Sequence, residues 1–289
     1  MKFKFLSLVS LLGMVFLLSG CNGITVLDPE GPVAKSQYDL ILWSLLMMLF
    51  IVVGVFTAFT IILIRYRDRP NHPQHDAEQE GNKLLEFIWT VIPILIIAAL
   101  AVPTVQVIFG LEHPAKSKEK EALTIRVVSS QWKWIFVYPE QGIETVNYVN
   151  IPEDKPVKFK LTSAQAMTSF WVPALGGQKY AMSGMMTELT LIAGHPGTFK
   201  GKNTGFNGEH YTKMTFKVHA QSKKDFQQWV NQAQKKAPDL TEKKFIQILQ
   251  PAVVDKMTFS STHLQWVNIM KHPEYATKHI NHKPPTSSD

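Results

Sequence analysis

The sequence predicts a membrane α-helical hairpin, then an all-β sandwich, then a helical extension at the C-terminus. Residues 40–64 and 87–111 contain no charged residue, which points to two spanning helices. From residue 123 to about 220, short β-branched and aromatic runs alternate with Pro and Gly punctuation, which points to an antiparallel sandwich. At 289 residues, 45% hydrophobic and 18% charged, the chain has room for about two domains, or one domain and membrane spans. No phosphate-binding loop, nucleophile triad or nucleic-acid motif is present.

Residues 1–20 have the form of an export signal. Lys2 and Lys4 give the charged start, and Phe5 to Leu18 the apolar run, too short to span. The run ends L-S-G-C at Cys21, the only cysteine in the chain. This resembles a bacterial lipoprotein signal, in which that cysteine becomes the lipidated first residue; the alternative is an ordinary signal with an incidental cysteine. Residues 21–39 are then an extracytoplasmic N-terminal segment.

The hairpin is expected over residues 40–111. Its first run of 25 uncharged residues, Leu40 to Ile64, exceeds the roughly 30 Å hydrocarbon core at about 1.5 Å per residue, so it spans with tilt. Trp43 and Tyr66 stand near its ends, as interfacial aromatics do. The following loop is cationic, with R-Y-R-D-R at 65–69 and Lys83, whereas residues 22–38 offer only Lys35. The positive-inside rule puts the loop in the cytoplasm and both flanks outside, in agreement with the export signal. The second run carries Pro93 and Pro103, which spanning helices tolerate when neighbours satisfy the freed carbonyls.

A charged linker, 113–122, leads to the sandwich, expected over 123–220. Strand-like runs are Leu123 to Val128, Q-W-K-W-I-F-V-Y from Gln131, Thr145 to Ile151, Pro156 to Thr162, Ser169 to Val172, Glu188 to Ile192 and Met214 to His219. The extension, 221–289, opens on a helix over Ser222 to Lys236. S-x-x-D gives a capping-box-like start, and Phe226, Trp229, Val230 and Ala233 follow one helical face. A second amphipathic helix is expected from Thr241 to Gln250, stopped at Pro251, before the aromatic-rich stretch 257–267. His272, His279 and His282 match no standard metal spacing, and a solvated tail is the plainer reading than a metal site.

Residues 168–214 carry the most specific wording: V-P-A-L-G at 172–176, G-G-Q-K-Y-A-M-S-G-M at 176–185, P-G-T-F at 196–199 and a turn closing on Met214. This resembles the copper-binding end of the cupredoxin domain in subunit II of haem-copper oxidases. The motif E-x-x-W-T-x-x-P at 86–93 resembles the start of that family's second span. The resemblance thus covers most of the chain. In the family's cytochrome c oxidases a dicopper centre lies here, held by two His, two Cys, Glu and Met. On this sequence the first His position is Thr168, the Cys positions are Asn203 and Asn207, the Glu position is Gly205 and the second His position is Tyr211. Met214 alone matches, and His210 stands one residue aside. Two coupled coppers need bridging thiolates, and Cys21 is far away in the signal.

The resemblance therefore implies the quinol oxidase branch. No cofactor is expected in this chain; haems and copper are expected in subunit I, and quinol is the substrate of the complex. The lipoprotein signal and L-D-P-E-G-P-V-A at 27–34 resemble Gram-positive members, with menaquinol as donor. Implied partners are subunit I, smaller subunits and membrane lipid, without nucleic acid or cytochrome c. The implied location is the bacterial cell membrane, with the large domain outside. Rival readings are a cytochrome c oxidase subunit II and a membrane-anchored lipoprotein binding module.

Trp132 and Trp134 form the W-x-W that in cytochrome c oxidases resembles an electron entrance; here they fit a strand face or a subunit interface. From residue 112 onward there are 23 Lys and Arg against 15 Asp and Glu, a balance that disfavours a cationic cytochrome c. Glu86 has two readings. It is a carboxylate at a helix N-terminus, favoured by the macrodipole. The motif it shares with Trp89, Thr90 and Pro93 implies the mouth of a proton pathway into subunit I.

Overall fold

The computed structural model describes residues 24–67, 81–112 and 122–280. The export signal 1–20, Cys21, residues 68–80 of the cationic loop, most of the charged linker and His282 lie outside the described residues. The chain divides into two compact units: Ser36–Ala115, and Met1–Lys35 together with Lys116–Asp289.

The first unit is the helical hairpin. Helix α1 runs Pro32–Arg65 and α2 runs Lys83–Glu112, both long and apolar enough to cross a membrane. Helix α1 starts eight residues before the uncharged run. Proline suits the first position of a helix because its missing N–H has no intrahelical partner there, and Lys35 and Asp39 occupy the added turns. Helix α2 starts behind Asn82, whose Oδ1 accepts the N–H groups of Leu84 and Leu85 at 3.0 and 3.3 Å. It continues through Pro93 and Pro103. Pro103 leaves the Ala99 carbonyl, four residues earlier, without a helical donor. The Trp43 indole Nε1–H donates to that carbonyl at 3.2 Å.

The second unit is a two-sheet sandwich. Its strands are β1 Leu123–Ser130, β2 Lys133–Tyr138, β3 Ile143–Val146, β4 Tyr148–Pro152, β5 Val157–Ser163, β6 Thr168–Trp171, β7 Lys179–Ala181, β8 Thr187–Leu191, β9 Gly197–Asn203, β10 Thr215–Gln221 and β11 Met257–Phe259. One sheet has the order β11-β3-β2-β1-β5-β8 and the other β4-β10-β9-β6-β7. Between them lies an aromatic core of Trp134, Phe136, Phe159, Phe170 and Phe216, with Phe170 stacked on Phe216 at 4.8 Å. The run Thr145 to Ile151 divides at Asn147, whose φ of 60° breaks the strand and sends β4 into the other sheet. Asparagine tolerates that conformation. Its side chain accepts from Trp134 N at 2.9 Å and donates to the Val254 carbonyl at 2.7 Å.

Strand β9 is not foreseen by local preference, because G-T-F-K-G-K-N is poor in strand formers. Tertiary packing overrides that: Gly201 lies against the Phe216 ring, where a Cβ would collide. Strand β2 is buried at all six residues. Its second face is covered by the C-terminal extension. Helix α3, Lys223–Lys236, is capped by Ser222, whose Oγ accepts from Asp225 N at 3.1 Å. Helix α4, Glu242–Leu249, is capped by Thr241. With β11, helix α5 (Glu274–His279) and Ile269, α4 buries Val128, Ile135, Val137 and Val146 in a second core. The extension is thus not wholly helical, and the aromatic-rich stretch supplies an edge strand to the sandwich. The N-terminal segment also packs on this unit. Glu30 N donates to Ala174 O at 2.8 Å, Gly194 N to Glu30 O at 2.9 Å, and the Glu30 carboxylate meets His195.

Candidate functional site: the loop end of the sandwich and the start of the second helix

Strands β6, β9 and β10 and the turn at 204–214 bring together the positions named from sequence. Thr168, Asn203, Asn207 and Met214 are all buried. Thr168 Oγ1 donates to Ser129 Oγ at 2.8 Å. Asn203 Oδ1 accepts from the N–H groups of Ser169 and Gly205 at 2.9 and 3.0 Å, and its Nδ2 donates to Gly205 O at 2.6 Å. Asn207 Nδ2 reaches Met214 Sδ at 3.3 Å, and Asn207 Oδ1 is buried with no hydrogen-bond partner among the described residues. Asn203 N donates to Met214 O at 3.0 Å, which closes the turn on β10. Asn203 thus bonds the backbone of the turn, Asn207 bonds the Met214 side chain, and Thr168 bonds Ser129 on β1.

The remaining positions lie at the rim. Tyr211 is half-buried and meets exposed Phe206 edge-on at 5.1 Å. His210 packs edge-on against Trp132 at 4.7 Å, and Trp132 Nε1 donates to Asn207 O at 3.3 Å. Trp134 is fully buried in the aromatic core, edge-on to Phe170 at 5.3 Å. Both tryptophans therefore serve packing in this unit. V-P-A-L-G is a tight turn in which Leu175 N and Gly176 N both donate to Val172 O, at 2.9 and 3.1 Å. Trp171 Nε1 donates to Gly176 O at 3.1 Å. Among the described residues no group of three or more His, Cys, Asp or Glu could hold a metal ion. His272 bonds Glu274, and His279 packs on Tyr275 at 4.5 Å.

Glu86 lies in the other unit, exposed, in the first turn of α2. Its N–H donates to Asn82 O at 3.0 Å and its carbonyl accepts from Thr90 Oγ1 at 2.8 Å. Thr90 in the E-x-x-W-T-x-x-P motif thus braces the turn that carries Glu86.

Sequence reasoning misses three buried polar groups under the extension, which no motif marks. Glu144, fully buried on β3, accepts from both N and Nδ1 of His263, at 2.9 and 2.8 Å. Lys133, on β2, donates Nζ to the carbonyls of Gln131 and Gln250, and burial lowers its amine to about 8. Tyr138 OH donates to Asn150 O at 2.9 Å, and burial pushes its phenol well above the usual range.

Comparison with known proteins gives the same frame. The family "Cytochrome C oxidase subunit II, transmembrane domain" matches residues 21–107, and "Cytochrome C oxidase subunit II, periplasmic domain" matches 140–221. Quinol oxidase subunit 2 of Bacillus subtilis is 52% identical over 276 residues, 94% of this chain and 86% of the relative. Quinol oxidase subunit 2 of Bacillus anthracis is 49% identical, over 93% of this chain and 94% of the relative. Probable quinol oxidase subunit 2 of Staphylococcus epidermidis is 47% identical, over 94% and 72%. Among solved structures, the periplasmic domain of subunit II of cytochrome oxidase from Bradyrhizobium japonicum is 27% identical, over 39% of this chain and 94% of its own, with a TM-score of 0.38. With about half of its residues shared along almost its whole length, the chain belongs to the quinol oxidase subunit 2 family, a branch of the subunit II proteins of the cytochrome c oxidases.

Proposed function

We propose that the chain is the second subunit of a proton-translocating quinol oxidase, in a complex that oxidises quinol and reduces oxygen to water. In this reading the cupredoxin-like unit is a scaffold without a dicopper centre, and electrons bypass it. The observation that carries this is the side-chain set at the loop end. Thr168, Asn203, Asn207 and Tyr211 are hard donors or non-ligands, and the chain's single cysteine is Cys21. A soft dicopper pair requires thiolates, so these residues do not fit it. Haems and the oxygen-site copper then belong to subunit I. Menaquinol is the proposed donor, and cytochrome c is not a partner. Glu86 is the proposed mouth of a proton pathway from the cytoplasmic side. Cys21 is the proposed site of lipid attachment, and an unmodified Cys21, or a different mature start, in the mass spectrum of the purified chain would remove that part.

The test is copper addition to the full chain in detergent, followed in the near infrared. No dicopper absorption is expected at stoichiometric loading. Its appearance, together with oxidation of cytochrome c by the purified complex, would replace this reading with that of a cytochrome c oxidase.

A further inference from the structure

The outward face of the five-stranded sheet carries lysines, and among the described residues its strands contribute no counter-charge. Strands β4, β6, β7, β9 and β10 contain no Asp, Glu or Arg, in a chain with 23 acidic residues. Lys200 and Lys202 project outward from β9, and Lys217 and His219 from β10. The register sets Lys217 directly opposite Lys200, and Lys217 also pairs with Tyr148 on β4. Like charges directly opposed on adjacent strands destabilise a sheet. The row extends on both sides over aromatic rings. Lys256 Nζ lies 5.8 Å from the Tyr148 ring centre, and Lys202 Nζ lies 4.9 Å from that of Trp171, which pairs with Lys202 across the strands. Among the described residues, none of Lys200, Lys202, Lys217 and Lys256 has a carboxylate within 4 Å. On the other sheet, by contrast, Lys158 and Lys160 share Glu188 at 3.6 and 3.4 Å. His219 reports the resulting field: burial first, then Lys256 and Lys217, lower its imidazole below the usual value.

We propose that this face is a docking surface for a linear phosphodiester polyanion outside the cell. Three features select that chemistry. Lys217 and Lys200 stand on adjacent strands roughly 5 Å apart, and Lys202 follows two residues along β9, so several amines lie within reach of successive anions on one chain. The cations at these positions are lysines, which bind phosphate oxygens as point charges and place no planar geometry on the anion. The flanking rings of Tyr148 and Trp171 give apolar contact for the carbon links between phosphates. A bound polyanion also relieves the repulsion between Lys200 and Lys217.

The test uses the full chain in uncharged detergent, with poly(glycerol phosphate) as the probe. Binding is expected to weaken at least tenfold in K200Q/K202Q/K217Q, and the log–log salt slope to fall by about two, at roughly 0.7 per lost contact. These side chains point to solvent, so the core packing of the strands is untouched. The charge-retaining K200R/K202R/K217R must bind like the wild type, and so must K158Q/K160Q on the other sheet. Three outcomes each overturn the proposal: equal binding by the triple Gln variant, loss of binding in the Arg variant, or equally tight binding of polyglutamate of the same charge. Displacement of the polymer by short-chain phosphatidylglycerol micelles at matched phosphate would assign the face to lipid instead and also overturn it.

Discussion

The indole N–H of Trp43 meets the carbonyl of Ala99 at 3.2 Å, and Ala99 is the residue that Pro103 deprives of its helical donor. One helix of the hairpin thereby repairs the backbone of the other. An unsatisfied carbonyl in hydrocarbon is costly because no water is present to replace the donor. Trp43→Phe is expected to destabilise the hairpin by about 0.6 to 2 kcal/mol, the range of interhelical hydrogen bonds in membranes. Pro103→Ala restores the N–H to Ala99, so Trp43→Phe in that background should cost little. Denaturation of the four variants in mixed detergent measures the coupling, and additive losses would show that the bond carries no energy.

Glu86→Gln keeps the shape of the first turn of α2 and removes the titratable group. Normal assembly and haem content are expected, with turnover slowed roughly tenfold or more, as for loss of a proton-transfer group. The defect should fall on proton-coupled reduction at the oxygen site and not on quinol binding. Wild-type turnover across the pH range in an assembled E86Q complex would reduce Glu86 to a helix-end charge.

The Glu144–His263 pair ties the extension to β3, and His263 also stacks on Phe245 at 4.4 Å. Removing one partner of a buried pair leaves the other without compensation, at about 3–5 kcal/mol. Glu144→Ala should therefore loosen the extension. Limited proteolysis should cut first between α4 and β11, whereas Glu144→Gln, which retains an acceptor oxygen, should resist better. Equal protease resistance of Glu144→Ala and the wild type would show that the second core holds without the pair.

Lys133 predicts a pH dependence of stability. Its amine is lowered by burial from 10.5 to about 8, so the unfolded chain binds the extra proton between these values. Stability should accordingly rise with pH from about 8 to 10 and fall again in the reverse direction. The window closes near pH 10, because Tyr138 and Tyr148 are raised by burial and their folded forms lose ground as unfolded phenols ionise. Lys133→Met should flatten the rise in chemical-unfolding curves measured at pH 8, 9 and 10. An unchanged slope would place the pH dependence elsewhere.

The amino-acid order alone determined the two spanning helices, the sandwich class, the α3 cap, the α4 helix and the family. These depend on local signals: uncharged runs of spanning length, alternation, Ser222 at a helix start, an amphipathic run stopped at Pro251, and short motifs such as E-x-x-W-T-x-x-P. Thr168, Asn203, Asn207 and Met214, singled out by their motifs, lie buried at one end of the sandwich, where Asn203 N donates to Met214 O. Tertiary structure decided the rest. Asn147 turns one apparent strand into two because its amide finds partners at Trp134 and Val254, more than a hundred residues apart. β9 is a strand because Gly201 admits the Phe216 ring. The buried charges Glu144 and Lys133 look like surface residues of a strand until the extension folds over them, since burial is set by what packs on the second face of the sheet. The lysine row has the same origin: Lys200 and Lys217 are 17 positions apart in sequence and become neighbours only through the β9–β10 register.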